Sequence, residues 1–285
     1  MGIFIFASDM IRMYRGLAVL LLWPLIVSPL CAQDMEIVDV HIHYSHDAWE
    51  RLPPKQAITM LREAGLRKAF VSSSSDDGTL MLHALAPELV VPVLRPYRRR
   101  GEISTWMHDP GVIDFLRQRL ADNEYAGIGE FHAFGEDVET AVMQEVIRLA
   151  REHKLFLHAH SDSDAVERIF ATDPQARVLW AHSGFASVAE VRRMLSRHDN
   201  LWADLAFRSE HAPGNRVSPE WLALFEDFPD RFMPGTDTYT PERWYYVRPH
   251  AEWTRGWLSD LPRELAQNIA WRNAESLVRS SRTRP

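Results

Sequence analysis

From residue 35 onward, short apolar runs alternate with longer stretches in which apolar residues recur every three or four positions. The short runs predict buried β-strands, and the longer stretches predict amphipathic helices. Eight strands are predicted, at Glu36–His43, Lys68–Ser73, Leu89–Arg95, Tyr125–His132, Leu155–His160, Arg177–His182, Asn200–Ala206 and Arg231–Asp237. The helical patterns lie between them and after the last, at Pro53–Ala64, Leu80–Ala86, Pro110–Asn123, Asp137–His153, Asp164–Thr172, Ser187–Arg197, Pro219–Phe228, Pro241–Leu258 and Pro262–Arg279.

Eight strands, each followed by a helix, predict the α/β class and a single (β/α)8 TIM barrel. No Gly/Ser-rich linker, long charge block or internal repeat interrupts residues 33–285, so we expect one barrel domain there. An open doubly wound sheet is the alternative, but it would need a Gly-rich turn after the first strand, and none is present. In a TIM barrel the active site lies at the C-terminal mouth.

The first strand ends in two histidines, His41 and His43, separated by one residue. Side chains of a strand alternate between its two faces, so both imidazoles must point the same way. Two imidazoles that converge at the end of a buried strand form half of a transition-metal site. The sequence therefore predicts a metal site whose other ligands come from later strands.

Further ionisable residues end the later predicted strands. Any one of these histidines is more simply explained as a hydrogen-bonded core or surface residue. Gathering so many polar groups in one barrel mouth, however, would carry a large desolvation cost unless they were paired or bound to metal. The fourth strand supplies Glu130 and His132, the fifth His158 and His160, the sixth His182 and the eighth Asp237.

This ordered set, from the His-x-His pair through Gly-Ile-Gly-Glu130 to Gly-Thr-Asp237, resembles the amidohydrolase superfamily in its amidohydrolase-related, type 2 branch. The resemblance covers nearly all of the chain after residue 35. It implies one or two divalent ions, most simply Zn²⁺, and Glu130 and His182 are the two ligand positions that it fixes least. The implied metal ligands are His41, His43, Glu130, His158, His182 and Asp237.

The resemblance also implies catalytic roles for Asp237 and His182. Asp237 would take a proton from an attacking water and return it to the leaving group. In members with one metal, the histidine in the position of His182 orients substrate or water. We therefore expect a metal-dependent hydrolase of a small-molecule ester, lactone or amide, with a metal-dependent decarboxylase as the alternative. Gly-Ile-Gly-Glu130 is also similar to the motif of TatD-type nucleases, which leaves a phosphoesterase or nuclease as a third hypothesis.

Two positions compete within their own strands. His158 is favoured over His160 as the fifth-strand ligand, because the superfamily motif places its histidine directly after the apolar run, and His160 is then a candidate to bind substrate. His132 competes in the same way with Glu130 and is otherwise a second substrate-binding candidate.

Three charged residues near the strand ends have two interpretations each. Arg95 and Arg208 are candidates to bind a carboxylate or phosphate of the substrate, and ordinary salt bridging is the alternative. Asp39 shares a face with His41 and is a candidate acceptor for its ring, or a buried structural carboxylate.

The net negative charge of the chain limits the kinds of partner that it can bind. The formal net charge is −7 and becomes −8 without the first 32 residues, so nucleic-acid binding is not expected. We expect a small-molecule substrate and leave a homo-oligomer open.

The first 32 residues have the pattern of a secretory signal peptide. Arg12 and Arg15 precede an apolar run from Leu17 to Val27, and small residues follow near Ala32. An uncleaved anchor is the alternative, but the run is shorter than the roughly 20 residues that span a bilayer. A lipoprotein signal would need a small residue before Cys31, where Leu30 stands. We expect export to the periplasm and no stable membrane insertion after cleavage.

We predict cleavage after Ala32, because a peptidase reads small residues at the end of such a leader. N-terminal sequencing of the protein from a cell-envelope fraction should begin at Gln33. A protein that retains residues 1–20 would contradict the prediction.

Overall fold

The computed structural model describes Met1 and residues 35–282, with the side chains of the last helix described as far as residue 279. The predicted signal peptide lies outside the described residues and stays a prediction. Within residues 35–282, none of the helices has the length and apolar character that crossing a membrane requires.

Eight parallel strands form one sheet in chain order, as the sequence predicted. The observed strands end one to four residues before the predicted ones at several positions, because the polar residues at the mouth leave the strand ladder. The strands are β1 Ile37–Ile42, β2 Leu66–Ser72, β3 Val90–Leu94, β4 Gly127–His132, β5 Phe156–His160, β6 Val178–Trp180, β7 Leu201–Asp204 and β8 Phe232–Met233.

Helices connect the strands and cover the outside of the sheet. Short 3₁₀ turns fill parts of the segments predicted as continuous helix, at Gly135–Glu139 and Pro241–Tyr246, and a π-helical turn at Asn268–Arg272 divides the last predicted helix. The helices are α1 His46–Trp49, α2 Pro54–Glu63, α3 Asp77–Leu85, α4 Gly111–Asp122, α5 Ala141–Glu152, α6 Ser163–Thr172, α7 Val188–Arg197, α8 Pro219–Asp227, α9 Val247–Leu258, α10 Arg263–Gln267 and α11 Asn273–Arg282.

Helix α5 shows how sequence and packing agree. Its Thr140 side chain accepts a hydrogen bond from the Met143 N–H and so begins the helix. Val142, Val146 and Ile147 recur at helical spacing, and all three are buried against the barrel. Burying each of these side chains contributes about 1.5–3 kcal/mol.

The barrel is closed by contacts between β1 and the segment that follows β8. The Val40 N–H donates to the Pro234 carbonyl at 3.0 Å, and the Asp237 N–H donates to the His41 carbonyl at 2.7 Å. These bonds bring Asp237 beside the two histidines of β1. Closure of the barrel and assembly of the site therefore depend on the same residues.

Asp39 strengthens this closure from inside the barrel. Its Oδ1 accepts the backbone N–H groups of His41 at 3.0 Å and Thr236 at 3.1 Å, and the Thr236 hydroxyl donates to Oδ2. Burial raises the pKa of Asp39 to about 6, although these hydrogen bonds favour its charged form. Asp39 is thus the structural carboxylate, not the acceptor for the ring of His41.

We predict that Asp39→Ala lowers the free energy of unfolding by about 2–4 kcal/mol, because it leaves buried N–H and hydroxyl donors without an acceptor. Asp39→Asn is the matched control, since its amide oxygen can still accept both N–H groups, and it should cost much less. Urea unfolding of the three proteins measures the difference. An Asp39→Ala protein as stable as the wild type would show that the closure does not depend on this carboxylate.

Candidate metal centre

Three histidines of the candidate site, His41, His43 and His182, have Nδ1 held by an oxygen atom. The Nδ1 of His41 lies 3.0 Å from Asp204 Oδ2, that of His43 lies 2.6 Å from the Ser72 carbonyl, and that of His182 lies 3.0 Å from the Ala206 carbonyl. A carbonyl or carboxylate oxygen only accepts, so each Nδ1 is the donor. When the ring is neutral, Nε2 then carries the lone pair and faces inward, as a metal ligand must.

The three Nε2 atoms converge on two carboxylates. Glu130 Oε1 lies 3.4 Å from His41 Nε2 and 3.6 Å from His182 Nε2, and Glu130 Oε2 lies 3.2 Å from His43 Nε2. Asp237 Oδ1 lies 3.2 Å from His43 Nε2 and 3.8 Å from His41 Nε2, and its Oδ2 lies 3.7 Å from His182 Nε2. These five side chains form what we call the five-residue cluster.

The cluster fits a divalent transition-metal ion. Three of its inward-facing atoms are buried without a hydrogen-bond partner: His41 Nε2, His43 Nε2 and Asp237 Oδ1. Burying such atoms unpaired is costly. An ion coordinated by imidazole nitrogen and carboxylate oxygen satisfies all three at once, and this donor set suits Zn²⁺ and similar ions.

The pKa shifts of the cluster residues also fit a bound cation. Burial disfavours charge on His41, but Asp237, Glu130 and Asp204 outweigh it and raise the pKa of His41 well above its usual value. The pKa of Glu130 is well below its usual value despite burial, chiefly because His41 is adjacent. The pKa of Asp237 falls to about 2, again against burial and mainly through His41. The three carboxylates therefore favour positive charge at His41, and a bound cation beside it would supply that charge.

A left-handed turn after β6 presents His182 to the cluster. The φ angles of His182, Ser183 and Gly184 are 54°, 49° and 64°. At Gly184 a Cβ would lie 2.0 Å from the Trp180 ring, so only glycine fits there. Asp204 holds the turn, accepting the His182 N–H at 2.9 Å through Oδ1 and the Ser183 hydroxyl at 2.8 Å through its carbonyl. Sparsely populated backbone conformations of this kind are typical of functional sites.

The structure separates the two histidines of β5. His158 Nε2 lies 3.1 Å from Asp204 Oδ2, and its ring meets that of His41 edge to face with centroids 4.6 Å apart. Burial lowers the pKa of His158 to about 4. His160 Nδ1 instead lies 2.8 Å from Glu130 Oε1. The sequence favours His158 over His160 as the fifth-strand ligand. In the structure, however, His160 contacts Glu130 of the five-residue cluster, whereas His158 contacts Asp204.

Asp204, at the end of β7, is the functional residue that sequence reasoning missed. It is fully buried and contacts His41, His158 and the backbone of His182. Its pKa lies far below the usual value despite burial, mainly because of His41. The sequence signal that could have identified Asp204 is the one used at the other strands: it is a polar residue at the end of an apolar run.

The predicted substrate-binding residues have partners within the protein. Arg95 donates to Glu130 Oε2 at 2.9 Å and to the Glu130 carbonyl at 3.0 Å. Arg208 donates to the His182 carbonyl at 3.0 Å and the Ala186 carbonyl at 2.8 Å, and it contacts Glu210. Both guanidinium groups are buried and position site residues, as the salt-bridge interpretation has it.

His132 lies at the border of the site. Its Nδ1 is 2.9 Å from the Tyr97 hydroxyl, and its ring stacks on His160 with centroids 4.1 Å apart. Burial lowers its pKa to about 3, so the ring is neutral at neutral pH. Glu130, His132 and His160 together form a further group with ligand atoms close enough to hold an ion, as do His41, His158 and Asp204.

The chain belongs to the amidohydrolase family, whose model matches residues 38–279. It is therefore an enzyme of the amidohydrolase superfamily. No curated protein sequence matches the chain significantly.

Solved structures share the fold. An uncharacterized TIM-barrel protein from Bordetella bronchiseptica has a TM-score of 0.62 at 12% identity, over 87% of this chain and 99% of that one. A probable 2-pyrone-4,6-dicarboxylic acid hydrolase from Acinetobacter baumannii has a TM-score of 0.52 at 12% identity, over 86% and 99%. N-isopropylammelide isopropylaminohydrolase from Burkholderia multivorans has a TM-score of 0.53 at 14% identity, over 85% and 74%. At these identities the likeness shows the fold alone.

We predict that His41→Ala and His43→Ala each lower metal content after dialysis at least tenfold, because each removes a buried ligand nitrogen. His46→Ala is the matched control, since His46 follows the same strand and binds the Ser74 carbonyl outside the cluster. Elemental analysis of the purified variants gives the metal per chain. Full metal occupancy in the double variant would contradict the prediction.

Proposed function

We propose that this enzyme is a metal-dependent hydrolase that acts on an ester, lactone or amide bond of a small molecule. One observation carries the proposal: the Nε2 atoms of His41, His43 and His182 converge on the carboxylates of Glu130 and Asp237. Three of the potential ligand atoms there have no hydrogen-bond partner. Zn²⁺ is the ion we propose, in one or two copies, with His160 as the ligand from β5.

A bound divalent ion supplies two effects, polarisation of the substrate carbonyl oxygen and a lower pKa for a neighbouring water. The protein supplies the orientation. The Asp204 carboxylate fixes the ring of His41, and Arg95 holds the carboxylate of Glu130 in place. The rings of His41, His43 and His182 and the carboxylate of Glu130 are thus each held by a hydrogen bond within the protein. Such preorganisation favours electrostatic catalysis.

Asp237 is the proposed proton acceptor. Its low pKa keeps the carboxylate charged at neutral pH, and its side chain is one-tenth exposed, so it faces the open side of the cluster. Oδ2 can take a proton from the attacking water and return it to the leaving oxygen or nitrogen. His182 lies 3.7 Å from this oxygen and orients the water or the substrate.

A decarboxylase of the same superfamily is the competing function. It would replace the carboxylate of its substrate with a proton and release CO₂, so no water is consumed. Purified enzyme given a panel of lactones, esters, amides and aromatic carboxylates should release acid or alcohol and not CO₂. CO₂ release without any hydrolysis would replace the proposed function with the alternative.

Location and partners belong to the same proposal. Export to the periplasm follows from the sequence pattern of the first 32 residues. A net charge of −7 argues against a nucleic-acid substrate, and hence against a TatD-like nuclease.

We predict that Asp237→Asn lowers turnover by roughly 10²–10⁴-fold, because the amide cannot accept a proton and general acid–base catalysis typically contributes that much. Metal content should stay near that of the wild type, since the amide keeps an oxygen at the same place. Asp260→Asn, a change at an exposed position, is the control for the loss of a carboxylate. Near-normal turnover of the Asp237→Asn enzyme on its substrate would remove Asp237 from the mechanism.

A further inference from the structure

Exposed aromatic side chains gather at one end of the barrel. Within residues 35–279, all the phenylalanine, tyrosine and tryptophan side chains that are exposed follow the C-terminal ends of β4, β6, β7 and β8. They are Phe134, Phe185, Phe207, Tyr239, Tyr245 and Tyr246, with exposed fractions from 42% to 64%. Apolar surface gathered in one place typically marks a binding site, whereas scattered exposure does not.

Three of these rings lie beside histidines of the candidate metal centre, and a fourth lies against one of the three. Phe185 stacks on the ring of His182 with centroids 4.6 Å apart and planes 16° apart. Phe134 lies 6.0 Å from His160, and Phe207 lies 5.8 Å from His182. Tyr239 is 6.0 Å from Phe207. We call Phe134, Phe185, Phe207 and Tyr239 the aromatic rim.

Two rings of the rim are held in an unfavourable backbone conformation. Phe185 has φ 49° and Phe207 has φ 57°, in the left-handed region that bulky residues rarely adopt. Glycine or asparagine would suit both positions better. Folding therefore gains little from either phenylalanine, since the ring is exposed and the backbone is strained. Such strain is typical of ligand-binding positions.

Arg243 ties the rim to the catalytic residue. Its guanidinium carbon lies 4.1 Å from the centre of the Phe207 ring and 5.6 Å from that of Tyr239. Its Nε donates to the Asp237 carbonyl at 2.5 Å, and its Nη2 donates to the Thr236 carbonyl at 2.6 Å. The rings on this side are thus fixed relative to the carboxylate that we propose as proton acceptor.

We propose that the aromatic rim binds a planar aromatic ring of the substrate, so that the substrate class is an aryl-substituted ester, lactone or amide. This inference rests on the proposed function for the identity of the bond, but the rim's affinity for an aromatic ring is independent of it. Rings that present both faces and edges bind a flat ring by stacking and edge contacts better than they bind a saturated ring of the same size.

A pair of ligands that cannot be hydrolysed tests the rim without catalysis. The probes are 4-phenylbutan-2-one and 4-cyclohexylbutan-2-one, which share a ketone and differ only in the ring. Calorimetric titration of the metal-loaded enzyme should show about 3- to 10-fold tighter binding of the phenyl compound, the range expected for a few ring contacts. Equal or weaker binding of the phenyl compound would overturn the proposal.

Variants assign the preference to the rim. Phe185→Leu and Phe207→Leu should each reduce the phenyl preference by about 2- to 5-fold. Tyr245→Leu is the control, because this residue follows β8, is 64% exposed and lies outside the rim; it should leave the phenyl preference unchanged. A preference that survives in the double variant Phe185→Leu/Phe207→Leu would overturn the proposal.

Phe185→Gly separates binding from folding. Glycine accepts the left-handed backbone, so the unfolding temperature should stay within about 2 °C of the wild type or rise, while the phenyl preference falls. A clear loss of stability with an unchanged preference would make the ring a structural residue and would contradict the proposal.

The matched esters methyl phenylacetate and methyl cyclohexylacetate distinguish the two failures, because they share a leaving group. If the phenyl ketone binds preferentially and neither ester is hydrolysed, the rim stands and the proposed hydrolysis is in doubt. If both esters are hydrolysed at equal kcat/KM and neither ketone is preferred, the hydrolase stands and the rim proposal is wrong.

Discussion

The burial of several carboxylates in one barrel mouth is the constraint on which the rest of the site depends. Glu130, Asp204 and Asp237 are all buried, and removing a carboxylate from water is costly unless positive charge or hydrogen-bond donors compensate it. Asp204 is compensated by imidazoles and a backbone N–H, whereas Asp237 Oδ1 and two histidine nitrogens lack any partner. A divalent ion bound between these atoms would satisfy them and would also supply the chemistry that we propose.

The scaffold brings these groups together through the ends of parallel strands. Asp39 joins β1 to the segment after β8, and this closure places Asp237 beside His41 and His43. Asp204 then connects β7 to β1, β5 and the turn after β6. The strand framework positions the side chains, and the hydrogen bonds to the Nδ1 atoms of His41, His43 and His182 turn each Nε2 towards the cluster.

Much of this could be predicted from the sequence, because a barrel has only one mouth and strands end there in order. The apolar runs identified all eight strands, and the rule that their ends share one mouth placed the five residues of the cluster among the candidates. It did not separate His158 from His160, since both lie on one face and alternation says nothing about depth within the barrel. It also could not decide between substrate binding and salt bridging for Arg95 and Arg208, because their partners come from other strands and loops.

The aromatic rim shows another limit of sequence reasoning. Phe134, Phe185, Phe207 and Tyr239 belong to four separate loops, and no periodicity relates them. Their common position follows only from the turns after the strands, two of which hold phenylalanine in a left-handed conformation. Loop residues of this kind give a barrel its specificity, whereas the strand ends give it its chemistry.

The most direct test of a metal-centred site is a crystal structure of the purified protein with diffraction data collected above and below the absorption edge of its bound metal. We predict an anomalous peak about 2.0–2.2 Å from the Nε2 atoms of His41 and His43, the usual length of a zinc–imidazole bond. Glu130 or Asp237 should supply an oxygen ligand to the same ion. A fully folded protein with no peak, or with its only peak between His158 and Asp204, would contradict the account.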